Sequence, residues 1–85
     1  MSKIIMGIQV ENRKDTITQV QNLLTDFGCY IKTRLGLHEA SDNREVCSDK
    51  GLIILEFIND SQKEAARLEE SLKNTQYVAV KIMEF

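Results

Sequence analysis

The chain has 85 residues, 42% of them hydrophobic and 28% charged, with 11 basic against 13 acidic side chains and a formal net charge of −2. This is the length of one small domain, residues 1–85. The lack of a basic excess argues against affinity drawn from DNA or RNA phosphates, and no apolar run approaches the ~18–20 residues of a membrane span. The stretch Ile4-Ile5-Met6 behind Lys3 is too short for a secretory signal, so the expected location is the cytoplasm. Two cysteines, Cys29 and Cys47, are too few for a disulfide framework and are expected as free thiols. Cys29, between Gly28 and Tyr30, reads as a half-buried structural residue at the start of a strand.

Residues 3–11 alternate with period two, which predicts a strand. Ile4, Met6, Ile8 and Val10 form an all-apolar set for the core, while Lys3, Ile5, Gly7, Gln9 and Glu11 form a mixed set for the other face. Asp15 is the expected N-cap of a helix over 15–27. There Ile17, Val20, Leu24 and Phe27 recur at spacings of three and four, and Leu23 widens the stripe. Gly28 is expected to close it in the left-handed conformation. Residues 29–36 predict a second strand, with Ile31, Thr33 and Leu35 on the core side and Tyr30, Lys32 and Arg34 on the other.

A polar stretch from Leu37 to Lys50 follows, long for a hairpin connection. Gly51–Ile58 is nearly all apolar and suits a central strand covered on both sides. Ser61 and Glu64 make a capping-box pattern at the head of a second helix. Ala65, Leu68 and Leu72 are the buried stripe of that helix, and Asn74 lies just past its end. Tyr77–Phe85 predicts the last strand, with Val78, Val80 and Ile82 facing the core.

The order β-α-β-β-α-β predicts an α+β fold, the ferredoxin-like plait: a four-stranded antiparallel sheet with two helices on one face. Its first and third strands, the most continuously apolar, belong in the centre. The core is expected to comprise Ile4, Met6, Ile8, Val10, Ile17, Val20, Leu24, Phe27, Ile31, Leu35, Ile53, Leu55, Phe57, Leu68, Leu72, Val78, Val80 and Ile82. Two helices cannot cover both sides of the sheet. The open side would carry Ile5, Leu52, Ile54, Ala79 and Met83, with Tyr30, Tyr77 and Phe85 near its periphery. Such an apolar patch predicts self-association as a homo-oligomer, dimer or higher, with Ile5, Tyr30, Leu52, Ile54, Ala79 and Met83 at the interface.

Residues suited to catalysis are few. The one histidine, His38, has no orienting partner in the sequence, and Gly7, Gly28, Gly36 and Gly51 are isolated rather than gathered in a phosphate loop. No catalytic residue and no cofactor is expected. A metal-sensing alternative would use His38 with Cys47 and the neighbouring carboxylates Glu39, Asp42, Glu45 and Asp49, although their spacing matches no specific ligand pattern. Arg34 either forms a salt bridge to Glu56 or Glu11, or anchors a carboxylate or phosphate with its planar guanidinium.

The glycine-containing first strand, a helix ending in Phe27-Gly28, and the segment Tyr30-Ile31-x-x-Arg34-Leu35-Gly36-Leu37 together resemble the family of small regulators linked to the iron-only hydrogenase system. The resemblance spans nearly the whole chain, though the 38–50 segment is longer here than in typical members. It implies an ACT-like fold, similar in shape to the oligomerising ligand domain of the nickel-responsive repressor. It also implies a regulatory role. The leading expectation is a small ligand bound between subunits at a site lined by Arg34, Gly36, Leu37 and His38; the alternatives are the metal sensor above and a purely structural interaction module with no ligand. The repressor's several histidine ligands have no counterpart, because only His38 is present.

Overall fold

The computed structural model describes residues 3–11, 14–38 and 50–85. The elements are β1 (Ile4–Glu11), α1 (Lys14–Asp26), a 3-10 turn (Gly28–Tyr30), β2 (Ile31–His38), β3 (Lys50–Phe57), α2 (Gln62–Lys73) and β4 (Val78–Glu84). The strands form one antiparallel sheet in the order β2-β3-β1-β4, so β1 and β3 are central, as their apolar runs require. This is the βαββαβ ferredoxin-like plait.

Period-two alternation puts Ile4, Met6, Ile8 and Val10 of β1 under the helices, all of them buried. They meet Leu55 and Phe57 from β3, Val80 from β4, Val20 and Leu24 from α1, and Ala65, Leu68 and Leu72 from α2 in one cluster. Ile17, Leu23, Phe27, Ile31, Ile53, Val78 and Ile82 close its margin. All the expected core positions fall in this cluster or against it except Leu35, which is exposed.

The cause is local. β2 pairs with β3 through Ile31↔Phe57 and then Thr33↔Glu56, so one extra residue, Lys32, is accommodated in a β-bulge. A bulge reverses the phase of every residue beyond it. Ile31 stays with Phe57 on the helix side, whereas Thr33, Leu35 and Leu37 pass to the opposite side.

Several ends of elements also differ from expectation. Asp15 lies inside the first turn of α1 rather than before it, where its charge complements the positive end of the helix dipole. Gly28 has no positive φ. The chain leaves α1 by continuing into the tighter 3-10 turn, with the Tyr30 N–H donating to the Phe27 carbonyl at 3.0 Å. Cys29 in that turn is exposed, and Tyr30 packs against the core, its ring centroid 6.5 Å from that of Phe27. Ser61 occupies the N-cap position of α2, but its buried side chain makes no capping bond; its carbonyl accepts the Ala65 N–H at 2.8 Å. Asn74 is the C-cap in right-handed conformation. Tyr77 lies outside β4, with φ of 65° at the entry to that strand.

Candidate functional site

The side of the sheet away from the helices can be mapped from the register. One row across it is Thr33, Glu56, Ile5 and Met83; the next is Leu35, Ile54, Gly7 and Lys81; the third is Leu37, Leu52, Gln9 and Ala79. Leu35, Leu37, Leu52 and Ile54 therefore form an unbroken two-by-two apolar block on the β2–β3 half. The β1–β4 half is mixed, with Ile5 and Met83 at one corner and Lys81 and Gln9 elsewhere. Leu35 is 51% exposed, Leu37 46%, Leu52 38% and Met83 56%, while Ile54 and Ile5 are half-buried between their neighbours.

The bulge creates the block. Without it, the alternation of β2 would turn Leu35 and Leu37 toward the helices and give Arg34 and Gly36 to the open side. A Cβ built on Gly7, at the centre of this face, would meet only the Ile54 Cδ1 atom, at 3.9 Å. The centre of the face thus has room.

The polar groups gather toward one end. Glu56 accepts a hydrogen bond from the Thr33 hydroxyl on Oε1 at 3.2 Å and pairs with the Lys3 ammonium through Oε2 at 3.5 Å. Both carboxylate oxygens are engaged. Beyond them, where β1 begins and β3 ends, Lys3, Lys32, Glu56, Phe57, Ile58 and Asn59 line a cleft of about 430 Å³.

The four residues expected to share a ligand site are not on one face. Arg34 stands opposite Leu55 and Gly36 opposite Ile53, in the helix-side phase, and His38 stands opposite Gly51. Leu37, opposite Leu52, is on the open side. Arg34 bonds neither Glu56 nor Glu11 here. Its guanidinium donates to the Gln21 side-chain carbonyl on α1 and ties the edge strand to that helix. Among the proposed interface residues, Ile5, Leu52, Ile54, Ala79 and Met83 share the open face, whereas Tyr30 packs with the core.

Thr33, Leu35 and Leu37 are the members of this face that the alternation pattern missed. Ile31, Thr33, Leu35 and Leu37 alternate without fault, so the sequence holds no mark of the bulge. Glu39, Asp42, Glu45, Cys47 and Asp49 of the metal alternative lie outside the described residues. Among the described residues no group of three or more His, Cys, Asp or Glu is placed to hold a metal ion, and no helix is long and apolar enough to cross a membrane.

No protein-family model matches the chain, and no curated protein matches it. Solved structures do. The uncharacterized protein TM1266 from Thermotoga maritima shares 27% identity over 100% of this chain and 99% of its own, with a TM-score of 0.74. The ACT domain of GTP pyrophosphokinase from Chlorobium tepidum has a TM-score of 0.66 at 18% identity, covering 95% and 96% of the two chains. CPII, a nitrogen regulatory PII-like protein from Thiomonas intermedia bound to ADP, AMP and bicarbonate, has a TM-score of 0.64 at 10% identity, covering 100% and 91%. The fold is an ACT-like ferredoxin plait.

Proposed function

We propose that this chain is a non-enzymatic regulatory domain of the cytoplasm that self-associates through the open face of its sheet and responds to a small ligand seated between protomers. The observation that carries the reading is the block of Leu35, Leu37, Leu52 and Ile54, contiguous and uncovered by the chain's own helices. A second copy is the occupant that a self-complementary apolar patch of this kind best suits. A ligand held at such a contact acts by its differential affinity for the assembled and separated states. At the level of fold, the nitrogen regulatory PII-like protein solved with ADP, AMP and bicarbonate is a precedent for a regulatory domain with small molecules bound. The resemblance of segment 30–37 supports a place in the control of an iron-only hydrogenase system, exerted through a protein partner rather than by direct contact with nucleic acid.

Sedimentation velocity from low to high micromolar concentration tests the assembly. The wild-type chain is expected to sediment as a dimer or larger species. The double variant Leu35→Glu with Leu52→Glu is expected to be monomeric, with an unchanged far-UV circular dichroism spectrum, because both side chains are on the surface of the protomer. A wild-type protein that stays monomeric at high micromolar concentration refutes the reading.

A further inference from the structure

The cleft at the end of the sheet combines features that specify a ligand class. We propose that it binds a small monocarboxylate with an apolar body, its carboxylate on the Lys32 ammonium and its body against the exposed Ile58 side chain. The cleft is formed within one protomer, so this site is additional to a ligand seated between protomers, and only its regulatory consequence rests on the assembly reading.

Three observations converge. The volume of about 430 Å³ is within the ~300–1,000 Å³ of small-molecule clefts, and two of the six lining residues, Phe57 and Ile58, are large and apolar. The charge does not cancel. The lining carries Lys3, Lys32 and Glu56; Glu56 is paired with Lys3, and Lys32 has no ion-pair or hydrogen-bond partner among the described residues. One positive charge is left beside an apolar wall. Finally, the one negative charge of Glu56 is already matched by the Lys3 ammonium at 3.5 Å, and its carboxylate also accepts from the Thr33 hydroxyl, so a ligand's own ammonium group would compete with Lys3 for it.

The third point separates an acid from an amino acid of the same carbon skeleton. A carboxylate meets Lys32 in a charge-assisted contact; adding an ammonium would bring a like charge toward Lys3 and Lys32, where the one lining carboxylate is already paired with Lys3. The apolar wall separates a carboxylate with a hydrocarbon tail from inorganic phosphate, which makes no use of Ile58. The bulge has a second consequence at this site. It sets Lys32 outside the regular ladder, at the corner where β2 meets the end of β3.

The experiment is a titration followed by amide chemical shifts, using hexanoate, norleucine, hexanol and inorganic phosphate on the full chain. Hexanoate is expected to shift the amides of Lys32, Ile58 and Asn59 in a saturable way and to bind more tightly than the other three. Lys32→Gln is expected to weaken hexanoate about tenfold, the loss of one charge-assisted contact. Lys81→Gln, on the open face away from the cleft, is expected to change nothing. Norleucine binding as tightly as hexanoate overturns the carboxylate class, and phosphate giving the same shifts at the same concentration overturns the role of the apolar wall. Shifts that do not saturate, or that survive Lys32→Gln unchanged, overturn the site. A chain that sediments as a monomer yet binds hexanoate at Lys32 refutes the assembly reading and leaves this one standing.

Discussion

The two sides of the sheet are made by the same strands, residue by alternate residue, and differ in how their hydrophobic groups are distributed. Under the helices, the central strands contribute Ile4, Met6, Ile8, Val10 and Leu55, all buried, with no polar residue among them. On the open side, the aliphatic residues are crowded into the β2–β3 half, and Gln9, Lys81, Thr33 and Glu56 occupy much of the rest. The first distribution holds the protomer together. The second adds little to the isolated protomer's stability, because its side chains keep much of their contact with water. A pair of substitutions measures that difference. Leu55→Ala, at a fully buried position of β3, is expected to cost about 2–5 kcal/mol in urea unfolding, the lost transfer energy plus a cavity. Leu35→Ala, with a similar loss of atoms on the neighbouring strand, is expected to stay within about 0.5 kcal/mol when measured on dilute protomer. Equal costs at low concentration would mean that the open face is covered from within the chain.

The second test concerns the residue that separates the two sides. Because Lys32 is the extra residue of the bulge, deleting it joins Ile31 directly to Thr33 in regular alternation. Every downstream side chain then keeps its present side: Arg34 by Gln21, Leu35 and Leu37 in the apolar block. The deletion is expected to leave the fold intact, with stability changed by no more than about 1 kcal/mol and self-association retained, while removing the cation of the end cleft. Hydrogen exchange along residues 33–37 checks it. Collapse of the fold, or protection patterns showing Leu35 turned under the helices, would mean that the bulge does more than shift phase.

That residue also marks where the sequence stops being legible. The order of the elements, the central places of β1 and β3, and the buried stripes of both helices all follow from periodicity, because each depends on neighbours at fixed spacing along the chain. The open face was legible for Ile5, Leu52, Ile54, Ala79 and Met83 for the same reason: they lie on strands whose alternation is unbroken. Plain alternation puts Leu35 and Arg34 on each other's sides because a bulge is set by pairing with another strand, and nothing in Ile31-Lys32-Thr33-Arg34-Leu35 records it. The end cleft was illegible for a related reason. It joins Lys3, Lys32 and Glu56, which come together only when three strands are in register. The helix ends at Asp15 and Gly28 differ from expectation because short-range preference fixes the neighbourhood of a helix end more firmly than the residue at which it falls.

The smallest expected effect is at Gly7, the one open-face position in the β1–β4 half with no side chain. Its backbone has no positive φ, so alanine can adopt the native conformation without strain. A Cβ there would make ordinary contact with the Ile54 Cδ1 atom at 3.9 Å and touch nothing else outside its chain neighbours. Gly7→Ala is therefore expected to stabilise the isolated protomer by about 0.4–1 kcal/mol, chiefly by restricting the unfolded chain. The same methyl group projects from the middle of the face that the assembly reading packs against a second copy. If that contact is close over Gly7, the variant should unfold at higher urea yet dissociate at higher protein concentration than wild type. The opposite changes in two measurements from one methyl group would distinguish a face that a partner touches at its centre from one whose contact is confined to the leucine block on β2 and β3, where dissociation would be unchanged.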